Sequence, residues 1–213
     1  MKNPASLIDH TLLRPDSTET QIVQLCEEAV EYEFAAICIP PAFVPIAAEA
    51  LYGSTVAVGT VVGFPCGYNS TRHKVLEAKE LAAQGAAELD MVIAVGQALS
   101  GHFDYLSQEI AQVVLAAPEA KVKVILECCY LDQELMAQLT EIVVRSGAAY
   151  VKTSTGFGPG GACADDVRIL AQSANGRIGV KAAGGIKDLE SCRKMLDAGA
   201  TRIGTSSGIK IVT

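Results

Sequence analysis

The chain has 213 residues, a length that suits one domain able to bury a sizeable core. Half of its residues are hydrophobic, 19% are charged and the mean hydropathy is +0.29, which excludes intrinsic disorder. Seventeen basic against 24 acidic residues give a net charge of −7 with no basic run to track a phosphate backbone, which argues against a nucleic-acid partner.

From the N-terminus, the chain reaches Asp9 and His10 before any long apolar run, so no signal peptide is expected. Short β-branched runs then alternate with longer segments of helical period. Strands are expected at Leu7–Thr11, Phe34–Ile39, Val56–Gly63, Glu88–Ile93, Lys121–Glu127, Ala149–Thr153, Ile178–Ala182 and Thr201–Thr205. Helices are expected at Thr18–Tyr32, Ser70–Gln84, Phe103–Ala117, Leu131–Arg145, Ala164–Ala174 and Asp188–Ala198, with a short one after Pro45. The longest apolar stretch, around Thr55–Phe64, holds two glycines and falls well short of the ~20 residues of a membrane span. Seven cysteines, an odd number scattered partly in apolar runs, fit buried thiols in a reducing cytoplasm.

Eight βα units with no linker imply an α/β fold, a single (β/α)8 TIM barrel spanning residues 1–213. An open doubly wound sheet is the alternative if the weak first strand fails. One joint repeats: Gln84-Gly85-Ala86-Ala87-Glu88-Leu89-Asp90 aligns with Ser146-Gly147-Ala148-Ala149-Tyr150-Val151-Lys152 and with Ala198-Gly199-Ala200-Thr201-Arg202-Ile203-Gly204. A degenerate copy runs from Glu33 to Cys38 without the glycine. The last positions, Cys38, Asp90, Lys152 and Gly204, fall on alternate strands, which share an interior layer in a barrel. A carboxylate and an ammonium there are costly unless paired or used.

Lys152 and Lys181 each follow an apolar run and precede a polar or glycine-rich one, which places both near the C-terminal ends of adjacent strands, where barrel active sites are built. Burial and a neighbouring ammonium both lower a lysine pKa, and a free lysine amine attacks carbonyls to form Schiff bases. Asp90 is then the acid/base partner, with a structural ion pair as the plain alternative. Gly184-Gly185 and Gly204-Thr205-Ser206-Ser207-Gly208 follow the seventh and eighth strands, where barrels hold phosphate on backbone N–H groups and hydroxyls. His10, His73 and His102 are dispersed with no zinc-binding spacing, and the adjacent Cys128 and Cys129 read as packing residues. Cys38 reads as a small core residue that could line the pocket.

Several segments together closely resemble the deoxyribose-phosphate aldolases, class I enzymes that join acetaldehyde to glyceraldehyde 3-phosphate. They are Ile8-Asp9-His10-Thr11-Leu12-Leu13, Ala36-Ile37-Cys38-Ile39, Val62-Gly63-Phe64-Pro65, Glu88-Leu89-Asp90-Met91-Val92-Ile93, Val151-Lys152-Thr153-Ser154-Thr155-Gly156, Val180-Lys181-Ala182-Ala183-Gly184-Gly185-Ile186 and Gly204-Thr205-Ser206-Ser207-Gly208. The two lysine motifs carry most of the specificity. The resemblance implies that Lys152 is the Schiff-base nucleophile, that Lys181 lowers its pKa and that Asp90 serves the proton relay. It further implies that Gly156, Gly184, Gly185, Gly204, Ser206 and Ser207 hold the substrate phosphate. It implies a cytoplasmic homo-oligomer, dimer or tetramer, of TIM barrels that takes sugar-phosphate and aldehyde substrates with no metal or organic cofactor. Three positions depart from the family pattern. Ala94 replaces a frequent Asn, Phe157 stands where some members carry a phosphate-binding Lys, and the chain ends at Thr213 without the Tyr-bearing tail of some members. The rival readings are a different class I aldolase and a catalytically silent sugar-phosphate-binding protein.

Overall fold

A computed structural model describes residues 3–213. Its eight strands are β1 (Ile8–Thr11), β2 (Ala36–Ile39), β3 (Ala57–Val62), β4 (Glu88–Val92), β5 (Lys121–Ile125), β6 (Tyr150–Lys152), β7 (Gly179–Ala183) and β8 (Arg202–Thr205). All pair in parallel and in chain order, and β8 returns to β1 through the Asp9–Gly204 register to close the barrel. The open-sheet alternative is thereby excluded.

The helices are α1 (Glu19–Glu31), α2 (Val44–Ala50), α3 (Thr71–Ala83), α4 (Val95–Leu99), α5 (Phe103–Ala116), α6 (Gln133–Arg145), α7 (Ala164–Ala174), α8 (Leu189–Asp197) and α9 (Gly208–Val212). The starts of α1, α3, α6 and α8 sit a residue or two inside the expected ranges because the boundary residues are caps, while α5 and α7 start where expected. Thr18 and Asp188 close capping boxes with Gln21 and Ser191, and the Asp132 carboxylate accepts from Leu135 N. Along α6, Met136, Leu139, Ile142 and Val143 face the strands, each worth about 2 kcal/mol of apolar burial. No helix among the described residues is long and apolar enough to cross a membrane.

The repeated joint works as a left-handed stop. Gly85, Gly147 and Gly199 have φ of +110°, +80° and +110°, and the degenerate copy uses Glu33 at φ +55° instead. Each stop feeds a strand whose residues alternate between two cores. Ile8, Leu89, Met91, Val122, Val124, Val151, Val180 and Ile203 point outward into the apolar layer under the helices. Their neighbours Asp9, Glu88, Asp90, Lys123, Lys152, Lys181 and Arg202 are buried and joined to one another inside the barrel. Outside the barrel, the buried Lys74 ammonium on α3 bonds Glu109 on α5 at 2.9 Å and the Val92 carbonyl at 2.8 Å, which pins the end of β4.

Candidate active site

Three strands meet at one carboxylate. Asp90 on β4 accepts from Lys152 Nζ on β6 at 2.6 Å and from Lys181 Nζ on β7 at 2.7 Å through the same oxygen, Oδ2. Lys123 on β5 donates to its other oxygen at 2.9 Å. Lys152 and Lys181 are register partners across the β6–β7 pair, so both side chains enter the lumen at one level. The pairing of Asp90 with the two lysines expected from the sequence is therefore present.

The sequence reading missed the lower half of this network. Lys123 also bonds Asp9 at 3.0 Å and Glu88 at 2.7 Å, and Lys181 bonds Asp9 as well. Arg202 Nη1 lies 2.6 Å from Asp9 and 3.0 Å from Glu88, and its guanidinium sits 5.4 Å from the centre of the Tyr150 ring. The available signal was the strict alternation Lys121-Val122-Lys123-Val124, in which the second lysine must face the lumen if the valines face the helices. Arg202 stands inward for the same reason, two residues before Gly204. At Gly204 a Cβ would come within 3.0 Å of Lys181 Cε, so the small residue makes room for the lysine.

Counting contacts inside the lumen sets Lys152 apart from the other cations. Asp9, Glu88 and Asp90 are three carboxylates, and Lys123, Lys181 and Arg202 are three cations in contact with two or more of them. Lys152 is the fourth base and touches Asp90 alone. Burial opposes ionisation of Asp90, but Lys123, Lys152 and Lys181 outweigh it and hold the carboxyl well below its ordinary range. For Lys123 and Lys181, burial is likewise overcome by the carboxylates, and both are held above the usual lysine range. Lys152 goes the other way: burial presses it down, Asp90 recovers part of that, Lys181 adds to the depression, and the net shift is downward.

Lys152 is also the member of the network that lines a cavity of about 330 Å³ at the C-terminal mouth of the barrel. Gly156, Gly184, Gly185, Gly204 and Ser206 line it as well, together with Thr11, Thr155, Phe157, Arg14 and Lys187. Gly184 and Gly185 adopt φ of +93° and +80°, a conformation that turns their backbone toward the opening and that a side chain would strain. Ser207 does not line the cavity; it follows Ser206 at the edge, where its N–H donates to Thr205 Oγ1 at 2.9 Å. Cys38 is buried beside Asp90, with Sγ 3.9 Å from Oδ2, and burial with that carboxylate pushes its thiol up to about 11. It is a core thiol and not part of the cavity wall.

The loop after β6 is held from below by Glu127. This buried residue has φ +57°, and its carboxylate accepts from both Thr155 N at 3.2 Å and Thr155 Oγ1. Phe157 N in turn donates to Thr155 Oγ1 at 3.0 Å. The three histidines remain apart: His10 bonds Glu28, His73 bonds Ser70 and His102 bonds Gln97. Among the described residues, no three His, Cys, Asp or Glu side chains gather as a metal site.

A buried lysine of lowered pKa at the mouth of a parallel barrel, beside a row of glycines, narrows the chemistry, and comparison with known proteins decides the family. Residues 5–213 match the DeoC/LacD family of aldolases. The chain belongs to that family. A deoxyribose-phosphate aldolase of Syntrophotalea carbinolica is 52% identical over 212 residues, covering 100% of this chain and 96% of the relative. One from a Geobacillus species is 50% identical over 99% of this chain and 95% of the relative. A solved structure of the deoxyribose phosphate aldolase from Aeropyrum pernix, described as a tetramer, superposes with a TM-score of 0.91. It is 36% identical, over 98% of this chain and 88% of that one. In this aldolase-family chain, then, the lumenal charge network reaches the cavity at the barrel mouth through Lys152.

Proposed function

We propose that the aldolase cleaves 2-deoxy-D-ribose 5-phosphate reversibly to D-glyceraldehyde 3-phosphate and acetaldehyde through a Schiff base on Lys152. The observation that carries this reading is Lys152 itself, a buried amine of lowered pKa that reaches the cavity while the other cations of its network stay locked. Its Nζ lone pair adds to the C1 aldehyde of the open-chain sugar, and loss of water leaves a protonated imine. Asp90, fixed by Lys123 and Lys181, is the group within reach to move protons, directly or through a water.

Removal of the C3 hydroxyl proton lets the C2–C3 electron pair flow into the imine. Three carbons then leave as glyceraldehyde 3-phosphate, and two stay on Lys152 as an enamine. Protonation at C2 and hydrolysis release acetaldehyde and restore the amine. The proposed phosphate cradle is Gly156, Gly184, Gly185, Gly204 and Ser206, with Ser207 next along the chain and Lys187 as a cation at the rim. The seven free cysteines fit a reducing cytoplasm.

Incubation with 2-deoxyribose 5-phosphate is expected to release equal amounts of acetaldehyde and glyceraldehyde 3-phosphate, and Lys152→Ala is expected to lose at least a thousandfold in kcat/KM. Cleavage of a ketose phosphate in place of this sugar would favour a different class I aldolase. Binding without turnover would favour a silent binding protein. Assembly as a dimer or tetramer completes the proposal, supported by the exposed apolar side chains Tyr52, Tyr68, Leu76, Leu99 and Leu115. Light scattering that gave the 22.3 kDa of a single chain would contradict it.

A further inference from the structure

A sugar phosphate brings a charge of about −2 to a protein whose own net charge is −7, so the site must supply cations locally. Three basic side chains line the cavity: Lys152, Lys187 and Arg14. Lys152 has to stay neutral to react, and Phe157 presents an apolar face on the β6 side, edge-on to Phe64 with ring centres 5.3 Å apart. Lys187 alone leaves a dianion half neutralised. The remaining cation is Arg14, in the loop after β1.

Arg14 already grips an anion. Its Nε donates to Asp16 Oδ1 and its Nη2 to Asp16 Oδ2, both at 3.0 Å, the side-on fork that a guanidinium also offers to two phosphate oxygens. The pair is open to water, with side chains 61% and 70% exposed, so little is lost when it opens. The backbone beneath it is fixed. Ser17 donates to the Arg14 carbonyl through both its N–H, at 3.2 Å, and its hydroxyl, at 2.7 Å. Leu12 N bonds the Cys38 carbonyl at 3.0 Å. Only the guanidinium has to swing, and an arriving phosphate repels the carboxylate that holds it.

We propose that Arg14 is a phosphate-binding residue that exchanges Asp16 for the substrate's phosphate, so that Asp16 acts as a placeholder anion for the guanidinium. This rests on the sugar-phosphate reading above and adds to it a second cation lining the same cavity as Lys187.

The test uses the full chain and three variants, Arg14→Gln, Arg14→Lys and Asp16→Asn, assayed on 2-deoxyribose 5-phosphate and on 2-deoxyribose. Arg14→Gln is expected to raise KM for the phosphorylated sugar about tenfold and to lower the preference for it over 2-deoxyribose by the same factor. Arg14→Lys, a point charge without the fork, is expected to fall between. Asp16→Asn removes the competitor and is expected to lower KM for the phosphorylated sugar.

Arg145→Gln at the far end of α6 removes the same charge and controls for the overall field; an equal rise in KM there would overturn the proposal. So would an unchanged KM in Arg14→Gln. Calorimetric titration with inorganic phosphate separates the two readings. If the parent protein turned over neither sugar, weaker phosphate binding by Arg14→Gln would still support the anion clamp while the aldolase reading failed. Equal phosphate binding by parent and variant would overturn the clamp.

Discussion

At the scale of single residues, the lowered pKa of Lys152 follows from a charge count in a closed space. Three lumenal carboxylates face three firmly held cations, so a proton on Lys152 would be a surplus charge in a medium that penalises it. Deleting a fixed cation reverses the sign: with Lys123 gone, three carboxylates face two, and Lys152 keeps its proton to restore balance. On the proposed Schiff-base route the Lys152 amine must be neutral to attack, so kcat/KM is expected to rise with pH as it loses its proton. A pKa below the ordinary lysine value places that limb at lower pH than a free lysine would. In Lys123→Met the limb is expected to move up by about a pH unit or more, with activity at neutral pH falling at least tenfold and partly recovering in alkali. A pH–rate profile of parent and variant checks this. An unshifted limb would mean that Lys123 acts only as filler.

Lys152 and Lys181 were legible because each ends an apolar run shortly before a polar or glycine-rich loop, and Asp90 because the repeated joint aligns it with Lys152. Lys123, Asp9, Glu88 and Arg202 were not, because each lies at mid-strand or at a strand's start, where a charge reads as solvent-facing. Only the closed barrel, which turns every second residue of every strand into one lumen, reveals them as neighbours.

Among the elements, the loops after the strands hold the site and were the least visible in advance. The strand expected to run from Lys121 to Glu127 stops at Ile125, because Glu127 turns left-handed to bring its carboxylate under Thr155. A glutamate in that conformation is unfavourable by itself, and its buried bonds to Thr155 compensate. Glu127→Ala is expected to free the Thr155–Phe157 segment and to lower kcat/KM about tenfold, with roughly 1–3 kcal/mol lost from stability. Glu127→Gln keeps an acceptor for Thr155 N and is expected to recover part of both losses. Paired kinetics and urea unfolding read them out; kinetics that stayed unchanged while stability fell would assign Glu127 to folding alone. The short helices α4 and α9 were also not anticipated. Each is only five residues long, too brief for a helical period to emerge from its sequence.

For the whole molecule, the alternation of outward Val, Ile and Leu with inward charge gives the barrel two interiors of opposite character. The outer one, between strands and helices, holds the fold. The inner one is costly to bury, and on the proposed reading it serves the chemistry at its open end. The eightfold alternation and the repeated glycine joint made the barrel readable from the sequence, because both are local patterns. The ion network was not, since its members come from β1, β4, β5, β6, β7 and β8, up to 193 residues apart. The most direct test of the whole account is borohydride reduction of the protein with acetaldehyde, followed by peptide mass mapping. The account requires a two-carbon adduct on Lys152, absent in Lys152→Ala. An adduct on Lys181, or none on folded protein, would contradict it.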